Sequence, residues 1–122
     1  MNIQSQFNTP AVSSTFPGGE CVIREGFIKQ GVPESAINVM LSSLSRNTIA
    51  QYTSSLKLWW QYCHQNNCDF YKVSISSLLN FLTGCFQSES SYGTLNNHRS
   101  AISLISTDSI GHDDRVKRFF KG

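Results

Sequence analysis

The 122-residue sequence has little net charge, because ten Lys and Arg stand against eight Asp and Glu and leave +2. The sequence therefore lacks the large basic field that holds nucleic acid nonspecifically. The distribution of charge says slightly more. Residues 46–73 contain three cations against Asp69, whereas the charges of the first 32 residues cancel.

Long apolar runs are also missing, so no membrane span is indicated and we expect no membrane partner. The amino terminus has no basic region followed by an apolar stretch, which is the mark of a secretion signal. We therefore expect a nuclear or otherwise intracellular protein. Cys21, Cys63, Cys68 and Cys85 are then expected to be reduced thiols rather than two disulfides.

Recognisable catalytic patterns are absent as well, because we find no phosphate loop and no interpretable set of histidine, serine and carboxylate. We expect no enzymatic activity of the chain by itself and no cofactor. Cys63, His64 and Cys68 invite a zinc interpretation, but a structural site takes four ligands in recognisable pairs. Cys63 falls on an apolar helix face and His64 beside it, so their side chains are expected to diverge.

No alternating pattern predicts a strand, and no internal repeat occurs. Apolar residues instead recur at helical spacing, and hydrophobic residues make up 39% of the chain. The predicted fold class is all-α, a compact bundle of four to five helices. Residues 1–20, rich in polar residues, Pro and Gly, are expected to be a flexible tail, and residues 21–122 a helical domain.

The best-marked helix follows Ser45, which is expected to cap it, and ends at Asn66-Asn67. Its apolar face predicts core packing for Trp59 and Trp60, although either ring could stack on bases. Leu58 lies on the opposite face with Tyr62 nearby. A helix over residues 21–30 is a candidate to cover this apolar pair.

Polar side chains gather at the start of this helix and of another that runs from about Tyr92 to Ile105. The first group could grip a DNA backbone, because free amides at a helix start attract phosphate. Ordinary capping is the alternative. The members of the first group are Arg46, Asn47, Thr48 and Gln51.

The second group combines hydroxyl, amide and cationic side chains that could meet phosphate or base edges. His98 also falls on the apolar side of its helix, where it could be a partly buried, hydrogen-bonded ring. Arg99 could equally pair with an acidic neighbour. The members are Tyr92, Gly93, Thr94, Asn97, His98 and Arg99.

Further phosphate contacts are predicted for Lys57 and for a basic carboxyl end, where Asp113 and Asp114 favour a short helix start. Each such contact would release roughly one counterion. A solvated basic face is the alternative. The carboxyl-terminal candidates are Lys117, Arg118 and Lys121.

Three stretches together resemble the amino-terminal core-binding domain of tyrosine recombinases, the SAM-like domain of phage-type integrases. They are SLSRNTIAQYTSSLKLWWQYC, SISSLLNFLTGCF and SYGTLNNHRSAISLI. The preceding REGFIKQGVPESAINVMLSSLS looks most like recombinases of DIRS-type retrotransposons. The match covers roughly residues 22–122 and rests on Ser45, Thr48, Tyr52, Leu56, Trp60, Phe81-Leu82, Thr94-Leu95 and Arg99-Ser100-Ala101-Ile102.

The resemblance implies a helical domain that forms half of a clamp round double-stranded DNA. It places the catalytic Arg, Lys, His, Arg and Tyr in a separate domain, which would begin after about Gly122. The DNA-facing positions it implies are the two groups of polar residues at the helix starts. The low net charge departs from the often more basic members of the family.

Three hypotheses follow. The chain is a DNA-binding module of a recombinase that integrates or recombines mobile DNA, acting alone, as a homo-oligomer on DNA or with a separate catalytic domain. Alternatively, it is a helical protein–protein interaction module derived from such a domain, using Leu58, Tyr62 or the aromatic carboxyl end. A small metal-dependent enzyme is the third, and it would require a bound metal.

Overall fold

A computed structural model describes residues 15–88 and 90–121. This part of the chain contains six helices and no strand, which confirms the all-helical class. The number is one more than the upper expectation of five, because the short segments before and after the central helices are helical too. The helices are α1 (Gly19–Lys29), α2 (Glu34–Ser42), α3 (Arg46–Asn66), α4 (Ile75–Gln87), α5 (Tyr92–Ile105) and α6 (Asp114–Lys121).

Most of the expected tail, residues 1–14, lies outside the described residues. Within the described part, Phe16 packs edge-on against Trp60, with ring centroids 5.8 Å apart. α1 begins at Gly19, so the folded part starts before the expected boundary at residue 21.

α3 is the central helix, and α1 and α5 pack against it. Its buried face carries Leu56, Trp59 and Cys63. The Trp59 ring is fully buried, and its Nε1–H donates to the carbonyl of Phe70 at 3.0 Å. This bond satisfies a polar group that would otherwise be costly to bury. Trp60 is half-buried beside the core, so the predicted core role of both tryptophans is confirmed.

α1 crosses α5 at Gly26, where the two backbones approach closely. A Cβ atom added at Gly26 would lie 2.8 Å from the Cα of Ile105. Glycine is therefore required sterically at this crossing. Gly19, about two turns earlier on α1, is likewise pressed against Thr53 of α3.

The prediction that the helix over residues 21–30 covers Leu58 and Tyr62 is wrong. α1 packs on the Thr53 side of α3, away from this pair. Tyr62 instead stacks on Trp59 and meets Phe81 of α4, with centroids 5.4 Å apart. Leu58 remains exposed. Helix α4 follows α3 through a short loop. It is this helix, and not α1, that packs against Tyr62.

α6 begins as its charges predicted. The Asp113 carboxylate accepts from the amide of Arg115 at 2.8 Å and forms an ion pair with its guanidinium. Val116 is buried, and Phe119 and Phe120 pack partly against the core. No helix in residues 15–88 or 90–121 has the length and apolar character needed to span a membrane.

Candidate nucleic-acid interface

α3 and α5 begin with the same capping arrangement. Ser45 Oγ accepts from the Thr48 amide at 3.0 Å and donates to the Thr48 hydroxyl oxygen at 2.9 Å. Ser91 does the same with Thr94, at 3.1 and 3.0 Å. The predicted Ser45 cap is confirmed, and the Ser91 cap was not predicted. Each threonine hydroxyl keeps its own proton, and the other first-turn amides have no intrahelical acceptor. Both helix starts therefore still offer donors.

An open groove runs between α3 and the start of α5. It brings Gln51 of the first predicted group together with Thr94 and Asn97 of the second. The amide nitrogen of Asn97 spans the two helices, donating to Ser55 Oγ at 3.0 Å and to the Gln51 carbonyl at 3.3 Å. The lining residues are Gln51, Ser54, Ser55, Ser91, Gly93, Thr94, Asn97 and His98.

His98 forms the floor of the groove and is not a surface group. The residue is 4% exposed, and its Nδ1 lies 2.7 Å from Ser55 Oγ. Burial lowers the pKa of His98, which favours the neutral imidazole. The predicted direct DNA contact is therefore corrected. The alternative of a buried, hydrogen-bonded ring holds.

Arg99 turns away from the groove and towards α6. Its guanidinium lies over the Phe120 ring, 5.0 Å from the centroid, and donates to the side-chain oxygen of Asn96. Its Nε is buried without a hydrogen-bond partner in the described part of the chain. Arg99 thus ties α5 to α6 through a cation–π contact. The structure places Phe120 and Asn96 beside Arg99, where an acidic partner was the predicted alternative. The guanidinium does not line the groove, as the predicted DNA contact would require.

Arg46 and Asn47 open α3 and are exposed. They lie about 7 Å along the helix axis from Gln51, at 1.5 Å per residue. They therefore flank the groove without lining it. Lys57, one turn and a half beyond Gln51, is also exposed, on another side of the same helix.

Tyr92 joins the start of α5 to the end of α6. Its exposed ring meets Phe120 edge-on, with centroids 5.8 Å apart. The neighbouring α6 residues Lys117, Arg118 and Lys121 are exposed and lie around a shallow surface depression with Asp114. The predicted basic candidates at the carboxyl end therefore belong to the helix whose Phe120 meets one of the two polar helix starts.

Carboxylates are missing from α3 and α5, which form the groove, and from α4. Neither α3, α4 nor α5 contains an Asp or Glu. Asp69 lies in the loop beyond the far end of α3, where its carboxylate accepts from the amides of Tyr71 and Lys72. A phosphate that approaches the groove would meet no carboxylate on these helices, so no negative side chain of theirs would repel it.

Sequence reasoning missed three groove residues, namely Ser54, Ser55 and Ser91. A signal for two of them was present, because residues 51, 54 and 55 share one helix face at three-and-four spacing. Ser55 is buried and looks like an ordinary small core residue. Ser55 accepts from Asn97 only because α5 packs beside it. The spacing of residues along α3 does not reveal the position of α5.

The zinc interpretation finds no support in the geometry. Among the described residues, no group of three or more His, Cys, Asp and Glu is placed to hold a metal. Cys63 is buried, and burial raises the pKa of its thiol to about 12. His64 points outward and stacks on Trp60. The two side chains diverge as expected.

These features define an all-helical domain with two similarly capped helix starts beside one acid-free groove. The family model described as the phage integrase N-terminal SAM-like domain matches residues 39–104, a little over half of the chain, and the chain belongs to this family. The matched residues span α3, α4 and nearly all of α5. No curated protein and no solved structure matches significantly.

Proposed function

We propose that this chain is a double-stranded DNA-binding module of a tyrosine recombinase-type protein. The groove between α3 and α5 faces the duplex, and the starts of the two helices flank a phosphate backbone. Family membership supports a role in DNA recombination or integration. The capping threonines and first-turn amides are the chemistry that would hold phosphate oxygens.

One observation carries the proposal: donors predicted separately on two helices line one groove. Gln51 and Thr94 are 43 positions apart in the sequence and share that lining. Donors from two elements fix the orientation of a duplex better than donors from one, because phosphate contacts set register.

The finer proposal places this module in a mobile-element recombinase of the DIRS type, acting inside the cell and in the nucleus of a eukaryotic host. In this family the cleavage chemistry belongs to a separate domain, so the chain would bind DNA without cutting it. The partner domain would close the clamp from the opposite side of the duplex. A reading frame that continues into an Arg, Lys, His-x-x-Arg and Tyr set would support this version.

The experiment is a fluorescence anisotropy titration of the chain with labelled duplex DNA, from low to physiological salt. The variant is Gln51→Glu, which introduces one carboxylate into the groove with almost no change in shape. The matched control is Gln65→Glu on the same helix, about 21 Å further along its axis. Gln51 and Gln65 are both exposed, so neither change removes core packing.

We expect Gln51→Glu to weaken binding about fivefold or more, because a carboxylate near phosphate costs on the order of 1 kcal/mol at the protein surface. Gln65→Glu should bind within about twofold of the wild type on the same scale. No binding of the wild type at low salt, or equal effects of the two substitutions, would contradict the proposal.

A second candidate function, a protein–protein interaction module, is favoured by one surface. Phe86 and Tyr92 are 63% and 64% exposed, and they border a cavity of about 390 Å³ together with Phe119 and Phe120. Exposed aromatic clusters of this kind mark interaction sites. Light scattering without DNA tests this candidate, and a stable oligomer that Phe86→Ser disrupts would favour it.

A further inference from the structure

The side-chain amide of Asn97 has already used both of its donor protons inside the protein. One goes to Ser55 Oγ at 3.0 Å and the other to the backbone carbonyl of Gln51 at 3.3 Å. A carboxamide nitrogen carries two protons, and its oxygen carries none. The part of Asn97 that remains for a ligand is therefore a hydrogen-bond acceptor.

The orientation of this amide is set by what surrounds it. The Gln51 carbonyl only accepts, so the nitrogen of Asn97 must face it. Ser55, which accepts from the same nitrogen, also shares a hydrogen bond with Nδ1 of His98, 2.7 Å away. The buried, neutral His98 completes the chain of bonds. His98 is thus a positioning residue beneath the groove.

Phosphate oxygens are also acceptors, so Asn97 has nothing to offer a DNA backbone. The donors on the floor of the major groove are the exocyclic amino groups of cytosine and adenine, N4 and N6. The major groove is also wide enough to admit an α-helix. Within the proposed function, on which this step rests, Asn97 belongs with base edges and not with phosphates.

We propose that Asn97 reads sequence: its side-chain oxygen accepts a hydrogen bond from the amino group of a cytosine or an adenine in the major groove. Thr94, one turn earlier, is its complement. The Thr94 hydroxyl accepts from Ser91 and keeps its proton, so it donates to a phosphate. One helix start therefore separates a base-reading group from a backbone-holding group.

The test is selection of bound sequences from a pool of duplexes with a randomised central segment. The wild type, Asn97→Ala and Thr94→Val are each taken through the selection, and the enriched bases are counted by sequencing. Thr94→Val keeps the shape of the side chain and the capping bond to its amide, so it is the matched control on the same helix. Thermal unfolding of each variant checks that it is folded.

The wild type should enrich cytosine or adenine by about fivefold at one or more positions, the worth of one net hydrogen bond. Asn97→Ala should lose that preference at one position. Thr94→Val should bind all sequences more weakly and keep the preference. Asn97→Ala that selects the same bases as the wild type, or a wild type that binds the pool without enriching either base, would overturn the inference alone. A wild type that binds no duplex would instead overturn the proposed function.

Discussion

His98 lies inside the bundle, beneath the groove between α3 and α5. Helical spacing assigned it both to the apolar face and to a DNA-contacting group, and burial decides for the apolar face. Its neutral ring shares a hydrogen bond with Ser55 inside the bundle. A buried histidine of this kind makes stability depend on pH in a defined direction.

We expect the free energy of unfolding to fall as the pH drops below about 6.5, the ordinary histidine pKa. The folded pKa of His98 is lowered by burial, so below that pH the unfolded chain binds a proton that the folded chain refuses. The loss ends once the pH passes below the lowered folded pKa. Urea unfolding measured at intervals between pH 8 and pH 5 tests this expectation.

The substitution His98→Gln should remove this part of the pH dependence. Asn97→Ala removes the other side chain that hydrogen-bonds to Ser55 and should leave the pH dependence unchanged. Asp113 does not interfere. A hydrogen bond from Arg115 lowers its pKa to about 2, and its contribution falls below about pH 4. An unchanged slope in His98→Gln would show that another group is responsible.

The cysteines are expected to differ in their reactivity. Cys21 is exposed, whereas Cys63 is buried with the pKa of its thiol raised to about 12. Since the thiolate is the reactive form, iodoacetamide should alkylate Cys21 readily in the folded chain and spare Cys63. Peptide mass spectrometry with and without urea measures both. Early labelling of Cys63 in the folded chain would contradict its place in the core.

Among the helices, the crossing of α1 and α5 depends on a single glycine. A side chain at Gly26 would meet the backbone of Ile105, with the added Cβ 2.8 Å from Cα and 3.0 Å from the carbonyl oxygen. Backbone atoms cannot move aside as a flexible side chain can. Gly26→Ala should therefore destabilise the fold by roughly 1–3 kcal/mol, as overpacked cores do.

Gly84 in α4 provides the matched control. Nothing lies within 4 Å of a Cβ built there. Alanine is the better helix former by about 0.5–1 kcal/mol, so Gly84→Ala should be neutral or stabilising. Chemical denaturation of both variants makes the comparison. If Gly26→Ala proves as harmless as Gly84→Ala, α1 is not packed on α5 as described.

Helix bounds were largely predictable from the sequence, because caps and apolar spacing are local. Ser45, Asn66-Asn67 and Tyr92 to Ile105 mark ends that the structure reproduces. The partners of each helix face were not predictable in the same way. The cover of Tyr62 was assigned to α1 because the pattern shows that a face is apolar without showing which helix meets it.

The candidate site was predictable in part for the same reason. Gln51, Thr94 and Asn97 were identified as polar groups at helix starts, and the structure brings them into one groove. Arg99 was misplaced because its spacing fits either border of the α5 face. Its direction is set by Phe120 in α6, a contact between residues 21 positions apart that no local pattern contains.

For the whole molecule, the distribution of charge matters more than its sum. The acid-free helices α3, α4 and α5 lie together, and Phe120 of α6, the helix that carries the exposed cations, meets Tyr92 at the start of α5. A net charge of +2 therefore does not argue against binding to a polyanion. Under the proposed function, binding is expected on the side of the molecule that carries the groove between α3 and α5.

The salt dependence of DNA binding measures how many phosphates that side neutralises. If Lys117, Arg118 and Lys121 each contact a phosphate, their joint replacement by Gln should reduce the slope of log K against log salt by about 2.7, at about 0.9 per contact. Lys72→Gln removes an exposed cation from the loop at the far end of α3 and serves as the control, with an expected change near zero. A triple variant with the wild-type slope would leave α6 as a solvated basic face, and the donors of the groove alone would then account for the grip on DNA.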